Sequence, residues 1–101
     1  MKTCRLDSYV LDTLMADLVL HEHSPSAFLV YLHLWHGAST VRRAVRASHQ
    51  DMAIATGLSK SAVQGAIRVL TRRRLIRAER DSLTAVPVYQ VLKPWRARRS
   101  A

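Results

Sequence analysis

The sequence has few of the features that mark secreted, membrane or catalytic proteins. Its 101 residues include one cysteine, Cys4, so no disulfide can form within the chain, which fits a reducing compartment. No uncharged apolar run reaches the roughly 18 residues that cross a bilayer, and residues 1–10 lack the apolar core of a signal peptide. We therefore expect a cytoplasmic protein that does not enter a membrane.

Signatures of catalysis and of metal binding are also missing. The chain contains no glycine-rich phosphate loop, no nucleophile elbow and no pair of acids at a catalytic spacing. His33 and His36 share a helical face, with His21 and His23 nearby in sequence, but no cysteine or carboxylate completes a metal-binding spacing. We therefore expect neither an enzyme nor a protein that holds a metal or another cofactor.

What the chain does have is a strong and uneven positive charge. The length and the 49% hydrophobic content indicate one folded domain with a modest core. Residues 1–40 hold two basic and four acidic residues, a net −2, whereas residues 41–101 hold fourteen and three, a net +11. Because solubility alone would mix the signs, the second part indicates an acidic partner. Nucleic acid is the leading candidate, and an anionic membrane surface is the second.

Two amphipathic helices are predicted before the basic part. The first runs from Asp7 to about Leu20, and the second begins at Ser24 as N-cap with Pro25 in its first position and ends near Gly37. Leu11, Leu14, Met15 and Leu18 form one apolar stripe of the first helix, which either folds back on its own domain or pairs with a second copy. The expected buried stripe of the second helix is Phe28, Leu29, Leu32 and Trp35.

The basic part alternates strand and helix signals. Ser48 with Asp51 resembles a capping box, Gly57 ends the helix that follows, and Ser59 caps the next one. The predicted elements are a strand over 42–47, helices over 49–56 and 60–73, and strands over 76–80 and 87–92.

This order of elements over residues 24–95 resembles the winged helix-turn-helix family of DNA-binding domains. The most specific stretch is "DMAIATGLSKSAVQGAI", in which small Ala53 stands where two helices touch and Gly57 stands at the turn. Apolar Leu58 follows, and Val63 lies inside the second helix. The resemblance implies a mainly α fold with a small β-hairpin wing, in the order α-α-β-α-α-β-β.

The resemblance also divides the chain. Residues 1–23 form an N-terminal helix, with possible homodimerisation through residues 8–20; residues 24–95 form the winged helix-turn-helix domain, and residues 96–101 a basic tail. Trp95 is expected to pack on the body of the domain. The sequence departs from the family at Arg74, where members usually have glycine before the Leu-Ile that opens the wing. A left-handed backbone there would strain Arg74 by about 1 kcal/mol.

The helix over 60–73 has one face for the protein and one for a ligand. Val63, Ile67 and Leu70 hold it to the body, and the opposite face has donors and no acid. Glutamine can pair with adenine and arginine with guanine, while serine and helix N-termini suit phosphates. The predicted DNA-binding residues are Ser59, Lys60, Ser61, Gln64, Gly65, Arg68 and Arg72 on this helix, and Arg77 and Arg80 on the outer face of the wing, with Arg42, Arg43 and Arg46 flanking it.

Two features of this helix have alternative explanations. Gly65 costs about 1 kcal/mol of helix propensity, which indicates either close approach of a ligand to the backbone or tolerance on a solvated face. The arginines at 72–74 either bind a polyanion or complement the helix dipole.

The resemblance implies sequence-specific binding of double-stranded DNA and transcriptional regulation, with the helix over 60–73 in the major groove. Two alternatives stay open. One is a replication or partition protein of a mobile element, and the other is a winged helix whose basic face docks an acidic protein.

Overall fold

A computed structural model describes residues 1–40, 44–83 and 85–97 of the chain. The protein is mainly helical and has a small three-stranded antiparallel sheet. Its elements are an N-terminal helix over residues 8–21, α1 (Pro25–Thr40), β1 (Ala44–Arg46), α2 (His49–Thr56), α3 (Lys60–Arg72), β2 (Ile76–Glu79), β3 (Val88–Val91) and α4 (Pro94–Ala97).

The N-terminal helix is wound more loosely than an α-helix. Two stretches, Val10–Leu14 and Asp17–His21, are π-helical. At the end of the first stretch, the Met15 N–H donates to the Val10 carbonyl, five residues back. A turn of this helix therefore takes more than four residues, and positions four apart lie on nearly the same face.

This winding changes the buried stripe from the predicted one. Val10, Leu14 and Leu18 are buried at intervals of four, so Leu14 and Leu18 were predicted correctly. Leu11 and Met15, which were predicted to share one stripe with them, are 51% and 41% exposed, so only part of that stripe folds back onto the core. The prediction assumes the spacing of an α-helix, whereas the π-helical turns rotate Leu11 and Met15 away from the core.

Helix α1 begins as predicted but is buried on a wider face. The Ala27 N–H donates to the Ser24 hydroxyl at 3.2 Å, which confirms the cap. Leu29 is 43% exposed, contrary to the prediction, because α1 packs against helices on one side and the sheet on the other. Its buried residues are Ala27, Phe28, Val30, Tyr31, Leu34 and Trp35, whereas Leu32 is half-buried.

Gly37 does not end α1, which continues to Thr40. A Cβ at Gly37 would lie 3.0 Å from the Val45 Cγ2 atom of β1, which is tighter than nine in ten real Cβ contacts, so the Val45 side chain would have to shift by a few tenths of an ångström. The prediction was therefore wrong for a physical reason: glycine here lets β1 cross close to the helix.

The α2–turn–α3 unit follows the local signals of the sequence. The Asp51 N–H donates to the Ser48 hydroxyl at 3.0 Å, and the Ser48 N–H donates to the Asp51 carboxylate at 3.1 Å, so the capping box is confirmed. Gly57 ends α2 with φ of 79°, a left-handed conformation that glycine adopts without strain. Ser59 then caps α3 by accepting from the Ala62 N–H at 3.1 Å.

The sheet has the strand order β1-β3-β2, so the β2–β3 hairpin is extended by β1 on its far edge. Both strands of the hairpin lie inside their predicted ranges, and β1 occupies part of the predicted 42–47, of which 42–43 lie outside the described residues. Between α3 and β2, Arg74 has φ of 56°, which is the left-handed conformation considered above.

A short helix that was not predicted, α4, closes the fold. Trp95 stacks on Tyr9 at 4.6 Å and on Trp35 at 6.3 Å between ring centroids, which confirms that it packs on the body. The Arg96 guanidinium donates to both oxygens of Asp7, at 2.8 and 2.7 Å. Arg96 is therefore not part of a basic tail, contrary to the prediction, because an acid near the other end of the chain holds it.

One hydrophobic cluster joins all these parts. It contains Val10, Leu14 and Leu18 of the N-terminal helix together with residues from α1 to β3. The N-terminal helix thus packs into the same core as the rest of the described chain.

Candidate nucleic-acid interface

Helix α3 is held by one face and presents the other to solvent. Val63, Ala66 and Leu70 are buried, and Ile67 packs against them. The outward face has no acidic residue. Of its predicted site residues, Lys60, Ser61, Arg68 and Arg72 are exposed, and Gln64 and Gly65 are half-buried.

The start of α3 suits an anion. Ser59 uses its hydroxyl as the helix cap, and the Ser61 hydroxyl lies 3.3 Å from it. The first N–H groups of any helix have no partner within the helix and carry its positive dipole end. Lys60 is exposed at this point and adds a full positive charge.

A groove of about 240 Å³ joins this helix start to α2 and the hairpin. Lys60 of α3, His49 of α2 and Arg80 beside β2 all line it. Partial burial, and then the charges of Arg80 and Lys60, lower the pKa of His49. Lys60 and Arg80 are therefore close enough for their positive potentials to add at His49, whose lowered pKa keeps its imidazole neutral near pH 7, and these two side chains make a cationic groove.

Among the residues of this groove that sequence reasoning missed are His49 and Gln50. Both are in the first turn of α2, directly after its N-cap Ser48. Their position at a predicted helix start is the sequence signal that could have identified them. Only the folded hairpin, however, brings Arg80 close to them.

Arg77 and Arg80 do not share one face of a strand. Arg77 is exposed on β2 and pairs with Gln90 of β3, whereas Arg80 lies one residue beyond the end of β2. Since side chains of a strand alternate, positions three apart point to opposite faces. Only Arg80 lines the cationic groove, and its Nη1 atom is 3.4 Å from the Leu83 carbonyl oxygen.

The arginines at the end of α3 are bound by acids of the N-terminal part. Arg73 donates to Glu22 at 2.9 Å and also to Asp17. Arg72 donates to the other oxygen of Glu22 at 2.5 Å but keeps 63% of its side chain exposed. Hydrogen bonds from Asp17 and then Glu22 raise the pKa of Arg73. Arg73 thus stabilises the fold, and Arg72 serves both the fold and the outer surface.

Gly65 has no neighbour that requires glycine. A Cβ there would meet only the Arg68 Nη2 atom, at 3.8 Å, which is ordinary contact. Gly65 lines an open groove of about 460 Å³, together with Ser26 of α1 and Arg72. Its backbone is therefore accessible to a ligand that approaches α3 from this side.

No protein-family model, curated protein or solved structure matches the chain. Within residues 1–40, 44–83 and 85–97, no three histidine, cysteine or acidic side chains are placed to hold a metal ion. No helix in the same part of the chain is both long and apolar enough to span a bilayer.

Proposed function

We propose that the protein binds double-stranded DNA in a sequence-specific way, as a winged helix-turn-helix protein with α3 in the major groove. The observation that carries the proposal is the surface of α3, which has no acid, exposes Arg68 and begins beside the cationic groove. A polyanion with a regular shape matches this surface along its length.

The dimensions of α3 agree with a duplex. Its 13 residues make a rod about 20 Å long and, with side chains, about 10–12 Å wide, which fits the roughly 12 Å width of the major groove. The short turn at Gly57, followed by the cap at Ser59, joins α2 to α3 directly, which supports the comparison with helix-turn-helix units.

The roles of the side chains follow from their chemistry. Gln64 and Arg68 are the base-reading candidates, because they can form bidentate hydrogen bonds with adenine and guanine. Lys60, with the first N–H groups of α3, would contact one phosphate, and Arg80 would contact the backbone from the wing. Arg77, on the wing but outside the cationic groove, would reach a neighbouring phosphate.

In the cell, the protein would use this DNA binding to regulate transcription in the cytoplasm. A replication or partition protein of a mobile element would use the same surface, and its bound sites would cluster at an origin. A homodimer through residues 8–20 would present two copies of α3 to half-sites about one helical turn apart.

Selection of bound fragments from a random pool of duplexes tests the proposal. We expect the wild type to retain a defined motif. Recovery of unrelated sequences, or retention of single-stranded fragments in preference to duplexes, would contradict it. Binding that persists against excess DNA and is flat with salt would support the alternative, docking of an acidic protein on the basic face.

A further inference from the structure

The loosely wound N-terminal helix has four rows of side chains, each with an interval of four residues. The first row is buried and holds Val10, Leu14 and Leu18. On one side of it lies a polar row with Thr13, Asp17 and His21. Two rows remain. One holds Leu11, Met15 and Val19, and the row next to it holds Asp12, Ala16 and Leu20.

All six residues of these two rows are exposed, and five of them are apolar. Leu11 and Leu20 keep 51% and 62% of their surface accessible, and Met15 and Val19 keep 41% and 40%. Single exposed apolar side chains are common, but two adjacent apolar rows on one helix make a continuous patch. We define the apolar flank as Leu11, Met15, Ala16, Val19 and Leu20.

We propose that the apolar flank is the contact surface of a homodimer, in which the two N-terminal helices pack antiparallel around Met15 and Ala16. The proposal does not depend on DNA binding. It replaces the dimer surface expected from an α-helical spacing, since Leu14 and Leu18 already serve the core.

Charge favours a second copy as the occupant. The flank has no basic residue and one acid within its rows, Asp12, so it has no attraction for nucleic acid or an anionic lipid surface. Residues 1–40 carry a net −2 against +11 for residues 41–101. Pairing through the flank therefore joins the weakly charged parts of two copies and does not force their basic parts together.

Charge also sets the direction of pairing. In a parallel pair the two Asp12 carboxylates would face each other. In an antiparallel pair centred between Met15 and Ala16, each Asp12 lies near Val19 of the other copy. The two carboxylates are then seven residues apart along the helix axes, which is at most about 10 Å at the 1.5 Å per residue of an α-helix. The small Ala16 side chain at the centre allows the helices to approach closely, with Met15 of the other copy packed over it.

The flank leaves α3 free. Asp17, in the polar row on the far side of the helix, binds Arg73 at the end of α3. A second copy on the apolar flank therefore does not cover the contact between the N-terminal helix and α3. One helix pair is small beside the roughly 800 Å² that each partner buries in a standard interface, so we expect a dissociation constant in the micromolar range.

Sedimentation equilibrium of the full chain between about 5 and 200 µM tests the dimer. We expect the wild type to dimerise and Met15→Glu to raise the dissociation constant at least about tenfold. Ile54→Glu is the matched control, because Ile54 is 73% exposed on α2, outside the flank. A monomeric wild type at 200 µM overturns the proposal, as does a control that dissociates like Met15→Glu. If circular dichroism shows Met15→Glu to be unfolded, Leu20→Gln takes its place.

Cross-linking tests the antiparallel arrangement. In a Cys4→Ser background, we expect Ala16→Cys to form an intermolecular disulfide and Asp12→Cys not to, because a disulfide needs Cα atoms within about 7 Å. Equal cross-linking at both positions, or at neither, overturns the arrangement.

Binding to a duplex with a single half-site separates the dimer proposal from the DNA proposal, because Met15→Glu should bind this duplex like the wild type. A dimer that binds no DNA refutes only the proposed function, and a monomer that binds DNA refutes only the dimer.

Discussion

The Arg73 guanidinium donates a 2.9 Å hydrogen bond to the Glu22 carboxylate, and its second nitrogen donates to Asp17. The last turn of α3 is thereby tied to the N-terminal helix. Both acids belong to residues 1–40, the part of the chain with a net negative charge. Acidic side chains of the same chain therefore bind basic residues at the end of α3. On α3, Lys60 and Arg68 nearer its start remain for an external polyanion, and Arg46, Arg77 and Arg80 are exposed outside this helix.

Arg73→Ala is expected to lower the free energy of unfolding by about 1–2 kcal/mol, because two partly buried carboxylates lose their partner. Urea denaturation followed by circular dichroism measures the change. Arg77→Ala is the control, since Arg77 is exposed on β2, and its change should stay within about 0.5 kcal/mol. Equal stability of the two variants would show that the contacts of Arg73 contribute nothing.

Gln64→Ala and Arg68→Ala are each expected to reduce affinity for the selected site by about 1–3 kcal/mol and to relax preference at one base position. Fluorescence anisotropy with the selected duplex and single-base variants of it measures both effects. Arg46→Ala, an exposed arginine of β1, should weaken all duplexes alike. Unchanged selection in both α3 variants would remove α3 from the reading role.

Gly65→Ala should separate stability from binding. The substitution has room, so alanine should raise the free energy of unfolding by about 0.5–1 kcal/mol through helix propensity. If DNA approaches the backbone at this position, the added methyl group should weaken binding at the same time. Thermal unfolding and fluorescence anisotropy on one preparation measure the stability and the DNA affinity of the variant. A variant that gains stability and binds DNA as before would mean that Gly65 lies on a merely solvated face.

Asp7 should make stability depend on pH in the acid range. Hydrogen bonds from Arg96 and then Trp95 lower its pKa to about 2, against the opposing effect of burial. Since the folded pKa lies below the unfolded value of about 3.9, this stabilisation is complete above pH 4 and is lost as the pH falls toward 2. Asp7→Asn should therefore cost about 1–2 kcal/mol at pH 7 and almost nothing near pH 2.

Urea denaturation of the wild type and Asp7→Asn at several pH values between about 2 and 7 measures this difference. Asp81→Asn, an exposed acid of the hairpin, is the control and should follow the wild type. A cost for Asp7→Asn that does not change with pH would assign the effect to packing and not to charge.

Salt should weaken DNA binding steeply. If about six cationic groups contact phosphates, affinity should fall roughly a thousandfold between 50 and 200 mM salt. Arg73 and Arg96 are held by acids, so Arg73→Ala should leave the salt slope unchanged, whereas Lys60→Ala should reduce it by about one. A flat dependence would favour the alternative of an acidic protein partner.

The signals that predicted structure correctly act over a few residues. Ser48 and Asp51 are three apart, Ser59 caps a helix through Ala62, and Gly57 needs only its own backbone freedom to turn left-handed. Such interactions form within one turn of the chain, so their sequence spacing is sufficient evidence for them. The polar face of α3 was predictable for the same reason, since the periodicity of one helix defines it.

Tertiary structure decided what depends on residues far apart in the chain. Val45 of β1 leaves little room for a Cβ at Gly37, and although the sequence predicts a strand over 42–47, it does not show that this strand crosses the helix at Gly37. Asp7 and Arg96 are 89 residues apart, and the cationic groove needs the hairpin to bring Arg80 beside α2. By itself, the sequence determined the caps, the turn and the helix that faces outward, because local hydrogen bonds and periodicity encode them. Only the tertiary structure decided which cations stay available for an external polyanion, because acids from the N-terminal part of the chain bind some of the arginines.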